Sequence, residues 1–190
     1  MRPRPLLRRS LPFFAALFLA APAVWASVVL PTTVEALARR ADLVVRGRAE
    51  RSVAAASPDG KLIHTLTTVR VASALKGEAG EVVEVRTPGG TLGDITQVVH
   101  GAPSFSAGEE VVLFLHRESA TRFTVENLAL GKFEIVRAQD GAPMVRQRAA
   151  GLAVLNPDGK ISPAQEIAPV GEREFLQRVR RAVEAARGER

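Results

Sequence analysis

"EVVEVRTPGGTLGDITQVVH", residues 81–100, sets a proline and three glycines between two runs rich in β-branched residues. Its reading separates two fold classes. A dinucleotide-binding unit needs a strand, a G-x-G-x-x-G turn and then a helix. Here Pro88, Gly89, Gly90 and Gly93 are followed by Ile95-Thr96-Gln97-Val98-Val99, which has no helical periodicity. The Gly-Lys-Ser/Thr of a phosphate loop is absent too. Without a helix N-terminus behind it, the loop lacks the dipole and aligned N–H groups that bind phosphate. Residues 86–94 therefore read as a turn in a β protein. Pro88 presets φ, and the glycines supply positive φ or room for close backbone approach.

The pattern repeats outward from this loop. LVVRGRAERSV (43–53), LIHTLTTVRVASAL (62–75), EVVEVRT (81–87) and ITQVVHG (95–101) read as strands, separated by SPDGK (57–61), Lys76-Gly77 and the glycine loop. VVLFLHR (111–117) is a continuous apolar run, which points to a central strand. RFTVENL (122–128), GKFEIVRA (131–138) and PMVRQR (143–148) follow. Short strands with a turn between each, and no βαβ alternation, indicate an antiparallel barrel or sandwich. Residues 149–171, rich in proline and glycine, read as an irregular linker containing the NPDGK turn (156–160).

A helix is expected at each end of the β region. Thr32 and Glu35 have capping-box spacing, and Val34, Leu37, Ala38 and Ala41 share one face up to Asp42. Over 172–187, Phe175, Leu176, Val179, Ala182, Val183 and Ala186 form the apolar face of an amphipathic helix otherwise covered by arginine and glutamate. It reads as docked on the barrel, with weak contact to a membrane surface as the rival reading.

Residues 1–26 have the layout of a secretory signal peptide: Arg2, Arg4, Arg8 and Arg9, then an apolar run from Leu11 to Ala21, then small residues. Val24-Trp25-Ala26 places cleavage after Ala26, and Ala21-Pro22-Ala23 is the alternative. Arg8-Arg9 leaves the twin-arginine route open beside ordinary Sec export. The reading implies an exported protein, periplasmic or secreted, with the β domain at 27–148. The chain holds 26 basic and 20 acidic residues; four of the arginines and no acid lie in the signal, so the remainder carries a net charge of +2. The pI of 10.9 is thus partly a targeting feature and does not argue for nucleic acid. There is no cysteine, hence no disulfide framework, and the core alone must hold the fold. There is no tyrosine, and the one tryptophan and three of the eight phenylalanines lie in the signal. The five phenylalanines left are few for the aromatic platforms that sugar- and single-strand-binding modules use.

Catalytic chemistry finds little support. His64, His100 and His116 show no H-x-H or H-E-x-x-H spacing, so zinc is not indicated, although three histidines on neighbouring strands keep a weak metal-dependent hydrolase as an alternative. Ser104 and Ser106 lack a G-x-S-x-G elbow. Glu109 and Glu110 are adjacent and would face opposite ways in a strand. No catalytic residue, metal ligand or cofactor is assigned.

The segments ADLVVRGRAERSVAAASPDGKLIHTLTTVRVASALKG, VVEVRTPGG, GAPSFSAGEEVVLFL and LALGKFEIV together resemble a largely uncharacterised family of exported bacterial domains over residues 33–137. Through it the chain distantly resembles the OB-type barrel of tissue inhibitors of metalloproteinases and netrin-like modules. Similar domains accompany matrixin-like metalloproteases. The resemblance implies an OB-like barrel and an exported protease as a partner, and carries no catalytic residue. The inhibitors grip the protease zinc through an N-terminal cysteine in a C-x-C motif, whereas the expected mature start here is Ser27-Val28-Val29.

The expectation is a mainly β protein: a single antiparallel, OB-like barrel with a short N-terminal helix and a C-terminal amphipathic helix. Its expected role is non-enzymatic binding of another exported or envelope protein, such as a protease. The partner-facing loops are placed at Pro88, Gly89, Gly90 and Gly93 and at Pro103 and Phe105, because loops on a rigid scaffold carry recognition. An envelope accessory protein held by its C-terminal basic helix is the remaining alternative.

Overall fold

The computed structural model describes residues 27–149 and 151–188, so the expected signal peptide lies outside the described residues. Chain order is β1 (Ser27–Val29), α1 (Val34–Arg40), β2 (Leu43–Ala56), β3 (Ile63–Lys76), β4 (Val82–Pro88), β5 (Gly90–Leu92), β6 (Ile95–Gln97), β7 (Glu110–Arg117) and β8 (Arg122–Val125). A 3-10 turn (Leu128–Gly131) leads into β9 (Lys132–Arg137), β10 (Pro143–Gln147), β11 (Leu152–Leu155), β12 (Ile161–Pro163), β13 (Val170–Gly171) and α2 (Glu172–Gly188).

Five strands close a barrel. β2 pairs with β3 and β7, β3 with β4, and β8 with both β7 and β4. The closing β4–β8 pair, Glu84↔Arg122 to Arg86↔Thr124, is parallel, so the barrel is not purely antiparallel as expected. Parallel neighbours need a long crossover, and residues 89–121 supply it. β2 reaches both neighbours by bending: its register with β3 shifts between Val44 and Val45, Arg46 and Gly47, and Ala49 and Arg51. Bulges sharpen twist and bend a strand in this way. At Gly47 a Cβ would lie 2.6 Å from the Arg70 carbonyl oxygen, so the close approach of β3 requires glycine there.

Alternation sorts the side chains. Leu43 and Val45 of β2, Val69 of β3, Val83 and Val85 of β4, and Phe123 of β8 fill the barrel. β7 is buried on both faces: Val111, Leu113 and Leu115 point into the barrel, while Val112 and Phe114 point out. This is the physical content of its unbroken apolar run. The outer face, continued by Phe133 and Ile135 of β9 and Val145 of β10, is covered by α1 and α2. Phe133 meets Phe114 edge-on at 5.6 Å between ring centroids and Phe175 of α2 at 4.6 Å.

Both helices keep their expected apolar faces, with local corrections. The N-cap of α1 is Thr33, whose hydroxyl accepts from the Ala36 amide at 3.1 Å, and Thr32 instead accepts from Arg40. Glu35, freed from a capping box, takes two hydrogen bonds from Arg178 and ties α1 to α2. At the other end of α1, the buried Lys76 ammonium donates to the carbonyls of Ala38, Arg39 and Ala41. In α2, Phe175, Val179, Ala182, Val183 and Ala186 are buried, and Leu176 packs against the same cluster. No helix among the described residues is long and apolar enough to cross a membrane.

Two expected stretches differ. ITQVVHG is not a barrel strand: β6 is three residues long and pairs only with β5, because Gly93-Asp94 forms a two-residue hairpin turn. The 149–171 segment is not an irregular linker. Its β11 lies parallel to β1 and antiparallel to β12, and β13 extends the main sheet beside β10. Leu152 packs with Ala129, Leu130 and Ala149 in a small separate core. Alternation over two to four residues is too short to register as a strand in a sequence broken by proline and glycine.

Candidate functional site

The crossover from β4 to β7 carries a β hairpin with exposed apolar side chains. Gly89 leaves β4 with φ of 88°, its amide donates to the Ile63 carbonyl at 2.8 Å, and its own carbonyl accepts from the Thr65 hydroxyl at 2.8 Å. A Cβ there would lie 2.7 Å from the Gln97 carbonyl oxygen. The glycine thus lets three backbone segments meet, and its own N–H is used inside the fold. Gly90 lies against Thr65 and Ala54 of the β2–β3 ribbon. Gly93 stands in open space with φ of 58°, as the tip of the β5–β6 hairpin. Gln97 of β6 accepts the Ile63 amide at 2.5 Å and pins the hairpin to the start of β3.

Pinned in this way, the hairpin exposes apolar side chains. Leu92 and Ile95 face each other across the ladder. Ile95 is 67% exposed, Val98 71% and, on the neighbouring β2–β3 turn, Leu62 57%. Beside them a depression of about 300 Å³ is lined by Leu62, Ile63, Pro88 and Val99, with His64 and Arg86 at its edge.

The six expected contact residues are divided by the fold. Pro88, Gly89, Gly90 and Gly93 belong to the hairpin and its root. Pro103 is buried. Phe105 is half-buried, packs against the end of the barrel core, and lies under the Lys132 ammonium at 4.8 Å. Pro103 and Phe105 are thus held within the fold, while the hairpin side chains stand at the surface. Ile95, Val98 and Leu62 were not singled out from the sequence, because a β-rich run reads as buried. The Leu92-Gly93-Asp94-Ile95 hairpin signal would have placed them outside.

The histidines stand apart in role. His116 pairs with Asp42 at 2.9 Å, His100 accepts from the Ser27 hydroxyl through its carbonyl, and His64 lies at the hairpin root. Among the described residues, no three His, Cys, Asp or Glu side chains group closely enough to hold a metal ion.

A second, polar site lies where β7 begins. Lys132 is bound by Glu109 at 2.6 Å, Glu134 at 3.5 Å and the Ser104 carbonyl at 2.5 Å. Glu134 also accepts from Arg146 and Arg148, each at 2.9 Å. Burial works to raise the Glu134 carboxyl, but the Arg146 hydrogen bond and the charges of Lys132 and Arg148 hold it below the usual range. Glu110 is lowered by its hydrogen bond from Arg48 and by the charges of Arg46 and Arg137. Both carboxylates thus serve as hydrogen-bonding partners of arginine.

No family model matches the chain, and no curated protein is significantly similar to it.

Proposed function

We propose that the protein is a non-enzymatic β-barrel module that binds another exported or envelope protein through the β5–β6 hairpin. The observation that carries this reading is the set of exposed apolar side chains Leu92, Ile95 and Val98 on and after the hairpin, with Leu62 lining the depression at its root. Large apolar side chains gathered at the surface mark interaction sites more often than scattered ones do. We also read the barrel as OB-like. Numbering only its five strands in chain order, the ring runs first, second, third, fifth, fourth, and its third and fifth strands are the parallel pair. This supports the likeness to the inhibitor and netrin-like barrels and keeps an exported protease among the partners proposed. Contact through the N-terminal segment is a weaker reading, since Ser27–Val29 is engaged as β1 along β11. The apolar face of α2 is occupied by the core, which favours the hairpin over this helix as the contact surface.

The test is crosslinking capture from exported proteins of the source organism, identification by mass spectrometry, and reconstitution with the purified partner. Ile95→Lys and Val98→Lys should each weaken that complex at least about tenfold, as loss of a buried apolar anchor does. Unchanged affinity in both variants would reject the hairpin as the binding surface.

A further inference from the structure

We propose that the polar notch at the start of β7 binds a small oxyanion carrying two or more negative charges. The site is independent of the hairpin surface.

Sheet geometry creates the notch. β7 begins at Glu110, opposite Ile135, while β9 continues to Arg137 beside β10 alone. Where the β7 neighbour is missing lies an open cavity of about 440 Å³, lined in part by Ser104, Ser106, Gly108 and Glu109. Its size suits a compact ion with a few waters and not a folded chain.

The charges around it do not balance. Arg48, Lys132, Arg137, Arg146 and Arg148 line the cavity against Glu109, Glu110 and Glu134, leaving positive charge in excess by two. The arrangement is also held in advance of any ligand. Lys132 and Glu134 are each more than nine-tenths buried. Glu134 takes the Nε–H of both Arg146 and Arg148 and so sets where their guanidinium groups stand. Among the described residues, Arg148 donates through Nε alone, Arg48 through one Nη, and Arg137 only through a long 3.4 Å contact to the Gly141 carbonyl. The other N–H groups of these three arginines are therefore available to oxygen atoms in the notch. Planar guanidinium forks suit carboxylate and phosphate, and such charge-assisted bonds are the strong ones.

The experiment is isothermal titration of the purified protein with inorganic pyrophosphate and with citrate, against sodium chloride at matched ionic strength. Saturable 1:1 binding of at least one oxyanion is expected, with no equivalent for chloride. Tighter binding of pyrophosphate would assign phosphate chemistry, and tighter binding of citrate carboxylate chemistry. Arg148→Gln and Arg137→Gln should each weaken it about tenfold, the loss of one charge-assisted contact. Both side chains are exposed, and thermal melting of the ion-free variants should match the parent, which separates a binding effect from misfolding. Absence of saturable binding to both probes, or equal affinity in parent and both variants, would overturn the proposal.

Discussion

Replacing Lys76 by methionine tests how α1 is joined to the barrel. The ammonium sits at the C-terminal end of a helix whose last carbonyls have no intrahelical partner, and it donates to Ala38, Arg39 and Ala41 at 2.7, 3.1 and 2.5 Å. A cation there also meets the negative end of the helix dipole. Hydrogen bonds to a charged group contribute about 1.5–3 kcal/mol each. Against these bonds stands the cost of burying an ammonium, several kcal/mol. Methionine keeps most of the stem, removes that cost, and leaves buried carbonyls unpaired. The net loss should be about 2–4 kcal/mol, because unpaired buried acceptors cost about 1–3 kcal/mol apiece and part of that is recovered by water. For a chain of this size that corresponds to a fall in Tm of roughly 4–16 °C. Urea denaturation followed by far-UV circular dichroism measures the free energy, and thermal melting checks it. A change below about 0.5 kcal/mol would refute the reasoning, since the three bonds would then do no more than balance desolvation.

Gly47→Ala should destabilise the protein by about 1–3 kcal/mol, because its Cβ would press on the Arg70 carbonyl oxygen and on Val69 at 2.9 Å; a neutral result in chemical denaturation would mean that the β2 bulge yields freely. Phe133→Ala, emptying the junction of barrel face and α2, should cost about 3–5 kcal/mol, again read by denaturation. The two hydrogen bonds from Arg178 lower the Glu35 carboxyl from its ordinary 4.5 to about 2. A lowered carboxylate adds stability that is complete above the unfolded value and is lost as pH falls through the folded one. The stability difference between the parent and Glu35→Gln should therefore shrink from about pH 5 down to about pH 2. Its size should stay within about 1 kcal/mol, as both side chains are about two-fifths exposed; a difference that grows on acidification would contradict the pairing.

Local pattern made most of the barrel legible. In β7 an unbroken apolar run implied burial on both faces, and Val111 to Leu115 alternate between barrel and helices. The faces of α1 and α2 followed from residues three and four apart, and the turns at 57–61 and 156–160 from proline, aspartate and glycine. β6 was overextended because Val98 and Val99 favour strand geometry wherever they stand, while Gly93-Asp94 reverses the chain too soon for a barrel strand to form. β11 to β13 were missed because short pairings depend on distant partners: Leu152 is ordered by Ser27, more than a hundred residues earlier in the chain.

The candidate sites were less legible than the fold. Pro88, Gly89, Gly90 and Gly93 read as one loop but are divided among the end of β4, the start of β5 and the hairpin turn, and Phe105 looks like a loop aromatic until its packing under Lys132 is seen. Nothing near Lys132 in sequence announces Arg146 or Arg148, which reach Glu134 only because β9 and β10 pair in register.

From the sequence alone come the β class, the two amphipathic helices, the turn character of the glycine stretch, and the absence of disulfides. These rest on period, composition and backbone restriction, which act between near neighbours. Closure of the barrel through a parallel pair, the outward turn of Ile95 and Val98, and the gathering of arginines around Glu134 were decided by the tertiary structure. Each depends on register between segments far apart in the chain, and register follows from burying all the apolar faces at once.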